Sequence, residues 1–226
     1  ANAKDSMTSL SDSGSLCVPG DISAAAFWMV AGLIVPGSEL LIEGVGLNPT
    51  RTGIIDVVRA LGGSVGVANE RLEGGEPVGD LLVKHEPLIK PRDLIEIGGD
   101  VIPRAIDELV VAGALAAHVE GATRIRDAKE LRVKESDRVE ETVRLLEGFG
   151  ASAEGREDGY DVEGGSGLKA TTIDVGSDHR VAISAAVMAC AADGESTLES
   201  FDVAAVSYPS FVEELRRLGA DVHAVS

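Results

Sequence analysis

Apolar residues along the chain define two kinds of helical segment. Residues 24–35 are apolar on nearly every side of the predicted helix, whereas residues 52–61 place Ile54, Val57 and Val58 on one face and polar residues on the other. A helix that is apolar all round is buried on every side, and a one-sided helix covers another layer. The pattern therefore predicts an α/β fold in which buried inner helices are surrounded by sheet and by amphipathic outer helices.

The same succession of elements occurs three times along the chain. The predicted inner helices are 24–35, 108–119 and 179–192, the strands that follow them are 39–43, 123–126 and 196–199, and the amphipathic helices are 52–61, 136–149 and 209–218. Glycines end the inner helices (Gly37, Gly121, Gly194) and the outer helices (Gly62, Gly150, Gly219), at nearly equal intervals in the three copies. We therefore predict a pseudo-threefold repeat of helix–strand–helix–strand units with buried central helices.

This repeat sets the expected domain boundaries. The three units, with an extra strand at 81–84, occupy residues 19–226 as one domain, and each unit is expected to close with a strand after its second glycine. Residues 1–18 are rich in Ser and Asp and have neither a helical nor a strand period. We interpret them as a linker or a remnant of a preceding domain.

Charge and composition exclude several classes of partner. The net charge of −18 and the aromatic content of 3% argue against nucleic-acid binding and against contact with an anionic membrane surface. The longest apolar stretches, 24–35 and 181–192, are too short to span a membrane, and the first ten residues lack the features of a signal peptide. We therefore expect a cytoplasmic protein, in which any anionic ligand needs a local cluster of cations.

The densest cluster of cations is the run LRVKESDR at 131–138. Lys134 and Arg138 are four residues apart and would share one face if both were helical. Glu135 would lie near the same edge. The alternative is the solvated start of a helix, with Ser136 as its cap.

Two further candidates lie where inner helices are predicted to begin. Asp107 precedes the second inner helix; taken alone it is most simply an N-cap, although a carboxylate there could also act as a base. His179 and Arg180 open the third inner helix, where a cation is unfavourable unless an anion is bound nearby. The alternative for Arg180 is a surface ion pair with Asp178.

Other kinds of site are not indicated by the sequence. His and Cys residues lack the spacing of metal ligands, and no run matches a phosphate-binding loop, a dinucleotide fingerprint or a serine nucleophile elbow. The loop 47–53, which contains Arg51, is interpreted as a structural turn and helix cap.

Four sequence runs together resemble the 3-phosphoshikimate 1-carboxyvinyltransferase (EPSP synthase) family: PGDISAA at 19–25, GLNPTRTG at 46–53, LRVKESDR at 131–138 and DHRVA at 178–182. The resemblance covers only the second half of that family's usual two-domain length. It implies that shikimate 3-phosphate and phosphoenolpyruvate are the substrates, and that no metal or organic cofactor is needed. It also implies an N-terminal domain as partner, without which we expect this chain to fold but not to turn over.

The resemblance implies catalytic roles for three residues. Asp107 would contact the shikimate hydroxyls and help to deprotonate the attacking one, with Lys134 beside that hydroxyl and the reacting phosphate. Glu135 would protonate the methylene carbon of phosphoenolpyruvate. An acid must hold a proton in order to donate it, so we expect the Glu135 carboxyl to be enclosed.

Substrate binding is implied for a partly overlapping set of residues. Arg138 and Arg180 would hold the carboxylate and phosphate of phosphoenolpyruvate, with His179 in a supporting role. Lys134 and Asp107 would contact the second substrate. We expect Arg138, Arg180 and Lys134 to be exposed to solvent on the open face of the domain.

Two alternatives to this function remain open. The related UDP-N-acetylglucosamine enolpyruvyl transferase shares the fold that the resemblance implies. The second alternative is a non-catalytic module, or a split subunit that is active only when paired with its other half. The chain departs from some members of the family at Val206, where they carry Lys, and at Glu130, where they carry Asn.

Overall fold

Three buried helices lie at the centre of the fold. The computed structural model describes residues 17–88 and 94–224, so the predicted linker at 1–18 lies outside the described residues apart from its last two. The described helices are α1 (Ile22–Ile34), α2 (Gly53–Ala60), α3 (Ile102–Ala105), α4 (Leu109–His118), α5 (Arg138–Gly148), α6 (His179–Ala191) and α7 (Phe211–Arg217). The described strands are β1 (Glu39–Gly46), β2 (Val65–Glu73), β3 (Glu76–Lys84), β4 (Ile95–Ile97), β5 (Gly121–Ile125), β6 (Ser152–Arg156), β7 (Gly159–Gly164), β8 (Thr172–Asp174) and β9 (Thr197–Glu199).

The inner helices α1, α4 and α6 pack against one another. Nearly all of α1 is buried, α4 is buried from Leu109 to Ala117, and α6 is buried from Val181 to Met188. Helices without a polar face therefore form the core of this strongly acidic chain, as their composition predicts. Within the described ranges, no helix is both long and apolar enough to cross a membrane.

Sheets and outer helices surround the inner helices. In the first sheet β3 lies between β1 and β2, with both pairings antiparallel. The second sheet has the order β4-β5-β7-β6, in which only β4 and β5 are parallel, and β8 and β9 form a separate parallel pair. The amphipathic helices α2, α5 and α7 turn their apolar faces inward, with Val57, Leu145 and Phe211 buried.

The six glycines that were predicted to end the helices all adopt the left-handed backbone conformation. Their φ angles are 78°, 102° and 107° after the inner helices and 82°, 86° and 104° after the outer helices. Glycine adopts positive φ without the steric cost that a side chain brings. Each helix is thus stopped at an equivalent point, and the predicted pseudo-threefold α/β repeat is confirmed.

The third unit is smaller than predicted. A closing strand was expected after Gly219, but the described residues up to Ala224 form none. The carbonyl oxygen of Val222 instead accepts a hydrogen bond from Arg216 Nε at 3.0 Å, and the amide of Ala220 bonds back to Leu215. These local bonds hold the segment against the end of α7. By contrast, the extra strand predicted at 81–84 is present as the longer β3.

Candidate active site

The N-terminal ends of the three inner helices lie together. Ser23 in the first turn of α1 contacts Glu108, which precedes α4, and Arg180 in the first turn of α6 contacts Asp107. Free backbone N–H groups and aligned peptide dipoles make such helix ends favourable to anions. The six charged residues gathered here are named the charged cluster: Asp107, Lys134, Glu135, Arg138, Asp178 and Arg180.

Asp107 lies in the turn between α3 and α4, and three cations surround its carboxylate. Arg138 Nη1 lies 3.0 Å and Lys134 Nζ 3.6 Å from its Oδ1, and Arg180 Nη2 lies 3.7 Å from its Oδ2. Burial acts to raise the pKa of this carboxyl, but Arg180, Lys134 and Arg138 outweigh it and hold the pKa below its usual value. Asp107 is therefore ionised at neutral pH. The N-cap interpretation is wrong, because Glu108 occupies that position of α4.

Arg138 is the buried centre of the cluster. Its side chain is 0% exposed, and its Nε lies 2.8 Å from Asp178 Oδ2, its Nη2 2.5 Å from Glu135 Oε2 and its Nη1 3.0 Å from Asp107. The expectation that Arg138 would be exposed to solvent is wrong, because carboxylates from three segments enclose its guanidinium. Burial opposes the charge, yet Asp178, Glu135 and Asp107 overcome it and raise the pKa of Arg138.

Lys134 reaches the cluster from a loop. It follows a 3₁₀ helix at Lys129–Val133 and has extended backbone angles, so the helical face that it was expected to share with Arg138 does not exist. Its Nζ lies 2.6 Å from Glu130 Oε1, and this contact, with Asp107 nearby, raises the pKa of Lys134. The lysine side chain is 21% exposed and remains cationic.

The cap of α5 differs from the expected one. Asp137 Oδ1 accepts hydrogen bonds from the amides of Val139 and Glu140 at 3.1 and 3.2 Å, so Ser136 is not the cap. The Ser136 hydroxyl instead donates to Asp178 Oδ2 at 3.0 Å. Asp137 therefore caps α5, whereas Ser136 binds a member of the charged cluster.

Arg180 and His179 lie at the start of α6. Asp178 caps this helix by accepting a hydrogen bond from the Arg180 amide at 2.9 Å, and its carboxylate is otherwise bound to Arg138. The Arg180 side chain extends to Asp107, so the alternative of a surface pair with Asp178 is wrong. His179 is largely covered, and burial lowers its pKa.

Glu135 is the most open member of the charged cluster. Its side chain is 52% exposed and contacts Arg138 through one oxygen. The enclosure expected for a proton-donating carboxyl is therefore not provided by the described residues.

Sequence reasoning assigned no role to three polar residues beside the cluster. Glu108 is buried and accepts a hydrogen bond from Ser23 Oγ, and Arg51 Nη2 donates to the same Oγ at 3.0 Å. The loop 47–53 was interpreted as a structural turn and helix cap, but Thr52 at the N-cap position of α2 makes no side-chain capping bond. Asn48 does form a turn with Thr50, but Arg51 reaches the helix ends. The available signal was a pair of adjacent carboxylates, at 107 and 108, before an otherwise apolar helix.

Other potential sites were compared with the charged cluster. Among the described residues, no group of three or more His, Cys, Asp or Glu side chains could hold a metal ion. Cavities of about 190 and 340 Å³ lie elsewhere, one between α2 and β2 and one near the C-terminal ends of α1 and α4. The charged cluster is thus the feature that agrees with the sequence motifs.

Comparison with known proteins places the chain among enolpyruvyl transferases. The family model for EPSP synthase (3-phosphoshikimate 1-carboxyvinyltransferase) matches residues 7–215. A 3-phosphoshikimate 1-carboxyvinyltransferase from Synechococcus sp. (strain RCC307) is 50% identical over 201 residues, which are 89% of this chain and 45% of the relative. One from Geobacter sulfurreducens is 50% identical over 207 residues, 92% of this chain and 47% of the relative. The chain therefore spans about half the length of the curated relatives it matches.

Solved structures give the same result. EPSP synthase from Acinetobacter baumannii matches with a TM-score of 0.83 and 38% identity, over 89% of this chain and 46% of the other. The enolpyruvyl transferase NikO from Streptomyces tendae matches with a TM-score of 0.72 and 24% identity, over 91% of this chain and 44% of the other. The second likeness shows the shared fold alone.

Proposed function

Because this chain belongs to the EPSP synthase family, we propose that it is half of an enolpyruvyl transferase that moves the carboxyvinyl group of phosphoenolpyruvate to shikimate 3-phosphate. This reaction would serve the shikimate pathway of aromatic amino acid biosynthesis. The observation that carries the proposal is the convergence of Lys134, Arg138 and Arg180 on the carboxylate of Asp107. These cations come from two of the motif runs that resemble the family.

Both proposed substrates are anions, and the charged cluster supports their binding. Arg180 and Lys134 are partly exposed and offer cationic groups at the helix ends. Guanidinium groups suit planar carboxylates and phosphates because they donate two parallel hydrogen bonds. Arg138 is buried and its Nη2 is bound to Glu135, so in this proposal a substrate would reach that nitrogen only after Glu135 moves aside. His179 would support Arg180 from the preceding position.

The proposed chemistry assigns the proton transfers to the acidic residues. Asp107 is ionised and takes the proton of the attacking hydroxyl as the hydroxyl oxygen bonds to phosphoenolpyruvate C2, while Lys134 stabilises the negative charge that develops on that oxygen. Glu135 gives its proton to the methylene carbon, which becomes a methyl group in the tetrahedral intermediate. The methyl group then returns a proton to Glu135 as the bond between C2 and the phosphate oxygen breaks, the phosphate leaves with the proton held by Asp107, and the vinyl group is restored.

The 226 residues alone are proposed to be inactive. Glu135 is half exposed here, so the described residues do not provide the enclosure that a proton-donating carboxyl requires. The second domain carried by the longer relatives would supply the cover and the remaining substrate contacts. The proposal includes a cytoplasmic location, which is supported by the free thiols of Cys17 and Cys190.

A fused protein tests the proposal directly. The N-terminal half of the Synechococcus relative is joined ahead of this chain, and product formation from shikimate 3-phosphate and phosphoenolpyruvate is followed by ³¹P NMR. We expect product from the fusion, none from the 226 residues alone, and none from the fusion with Asp107→Ala. A folded fusion that is inactive with shikimate 3-phosphate would contradict the proposal, and activity with UDP-N-acetylglucosamine would favour the related transferase instead.

A further inference from the structure

Directly after Asp107 the chain carries a buried carboxylate that the proposed reaction does not use. The side chain of Glu108 is 1% exposed, and its Oε1 accepts a hydrogen bond from Ser23 Oγ. Arg51 Nη2 donates to Ser23 Oγ at 3.0 Å and lies 3.8 Å from Glu108 Oε1. These contacts connect the start of α4 with the first turn of α1 and with the loop before α2.

Asp107 lies outside the helices, in a turn that is closed by a hydrogen bond from the Glu108 amide to the Ala105 carbonyl oxygen at 2.9 Å. Residues 106–108 form a turn between α3 and α4, so the carboxylate depends on what holds the two sides of that turn. On the first side, Arg104 Nε donates to the Pro49 carbonyl at 2.7 Å, and its Nη1 lies 2.9 Å from Asp56. Gly53 approaches so closely that an added Cβ would lie 2.8 Å from the Arg104 carbonyl carbon. The first side of the turn is therefore tied to the loop before α2.

We propose that Glu108 is a positioning residue that holds the second side of the turn, and thereby keeps Asp107 in contact with Lys134, Arg138 and Arg180. It does so by anchoring the start of α4 to Ser23 and, through Ser23, to Arg51. That this positioning serves catalysis rests on the proposed function. The positioning of Asp107 by Glu108 does not depend on which reaction the protein catalyses.

The energetics support a role beyond packing. Burial raises the pKa of Glu108 even though the bond from Ser23 and the charges of Arg180 and Arg51 oppose it. A buried carboxylate is expensive to retain, and Glu108 makes no side-chain bond to the amides of its own helix. Its hydrogen bond crosses to another unit of the repeat, as expected of an anchor.

Substitution of Ser23 tests the anchor without changing any charge. Ser23→Ala removes the donor to Glu108, so the turn loosens and Asp107 withdraws from its three cations. We expect the titration midpoint of the Asp107 carboxyl, followed by ¹³C NMR in the isolated chain, to rise toward that of an unpaired aspartate. Ser184→Ala is the matched control, since the buried Ser184 hydroxyl has no hydrogen-bond partner among the described residues, and it leaves the midpoint unchanged.

Two substitutions of Glu108 complete the experiment. Glu108→Gln keeps an acceptor for Ser23, so the Asp107 midpoint stays low, whereas Glu108→Ala raises it. A midpoint as low in folded Ser23→Ala as in the unaltered chain would overturn the proposal, even if Glu108→Ala fails to fold. If the midpoints shift as expected while the fused protein makes no product, the proposed function fails and the positioning role stands.

Discussion

The two sides of the charged cluster differ sharply in their surroundings. On the buried side, Arg138 and Asp178 are 0% and 1% exposed and bond to each other and to neighbouring polar groups. On the open side, Glu135 and Lys134 are 52% and 21% exposed and emerge from a loop. The buried side and the open side of the cluster therefore have different tasks. The buried side joins the second and third units, and the open side leaves charged groups able to meet a ligand.

This separation has an energetic basis. A guanidinium that is removed from water is stabilised chiefly by a carboxylate that is removed from water with it, so the buried side responds strongly to the loss of Arg138 or Asp178. An exposed charge is solvated whether or not its partner is present. Three predictions follow this order, from the largest expected effect on stability to the smallest.

Arg138→Ala is expected to lower the free energy of unfolding by about 3–5 kcal/mol, because it leaves the buried carboxylate of Asp178 without its cationic partner. Urea denaturation of the isolated chain measures the change. The control is Arg144→Ala, which breaks the half-exposed pair with Glu141 and costs at most about 1 kcal/mol. If the two variants were equally stable, the buried side would have no special structural role.

Acidification should weaken the same side. Burial opposes ionisation of Asp178, but its bonds from Arg138, the Arg180 amide and Ser136 prevail and lower its pKa; the pKa of Asp107 is also lowered. The stability that these two ionised carboxylates contribute is therefore present above their unfolded-state pKa of about 3.9. It is lost as the pH falls through their lower folded-state pKa values.

A comparison of the unaltered chain with Arg138→Met isolates the contribution of the bonds between Arg138 and these acids. The difference in unfolding free energy between the unaltered chain and Arg138→Met is expected to narrow as the pH is lowered from about 5 to about 3. A difference that stays constant across this range would show that the acids titrate independently of Arg138.

Glu135→Gln is expected to change the unfolding free energy by less than about 0.5 kcal/mol, since the side chain is half exposed. In the fused protein the same change should reduce turnover by about 100-fold or more, because the amide cannot donate the proton. Glu140→Gln, at an exposed acid in the first turn of α5, serves as the control and alters neither quantity. Full turnover in Glu135→Gln would remove the proposed acid from the mechanism.

The sequence predicted those features that depend on local pattern. The inner helix α6 begins at His179 after Asp178, as the change from polar to apolar residues indicates, and the glycine turns lie where the repeat requires them. The resemblance to the family also assigned Asp107 and Lys134 to one site, although nothing in their spacing gives a distance.

The features that escaped prediction depend on contacts between distant segments. Ser23 and Glu108 are 85 residues apart in the chain, so no periodicity connects them. Arg138 was expected to be exposed because it was assigned to the open face of a domain without its other half, but the approach of Asp107 and Asp178 buries it. The closing strand of the third unit was inferred from the repeat, but side-chain bonds at Val222 replaced it.

The bond between Arg138 and Asp178 also has a consequence for local unfolding of the domain. Asp178 is at once the cap of α6 and a partner of Arg138, the first residue of α5, so fraying of α6 would remove the buried counter-ion of the guanidinium. Among the residues described up to Ala224, the third unit has only the parallel pair of β8 and β9 as its own sheet, which is too small to persist by itself. We therefore expect units two and three to open as a single cooperative foldon, with amide protons that exchange together with solvent.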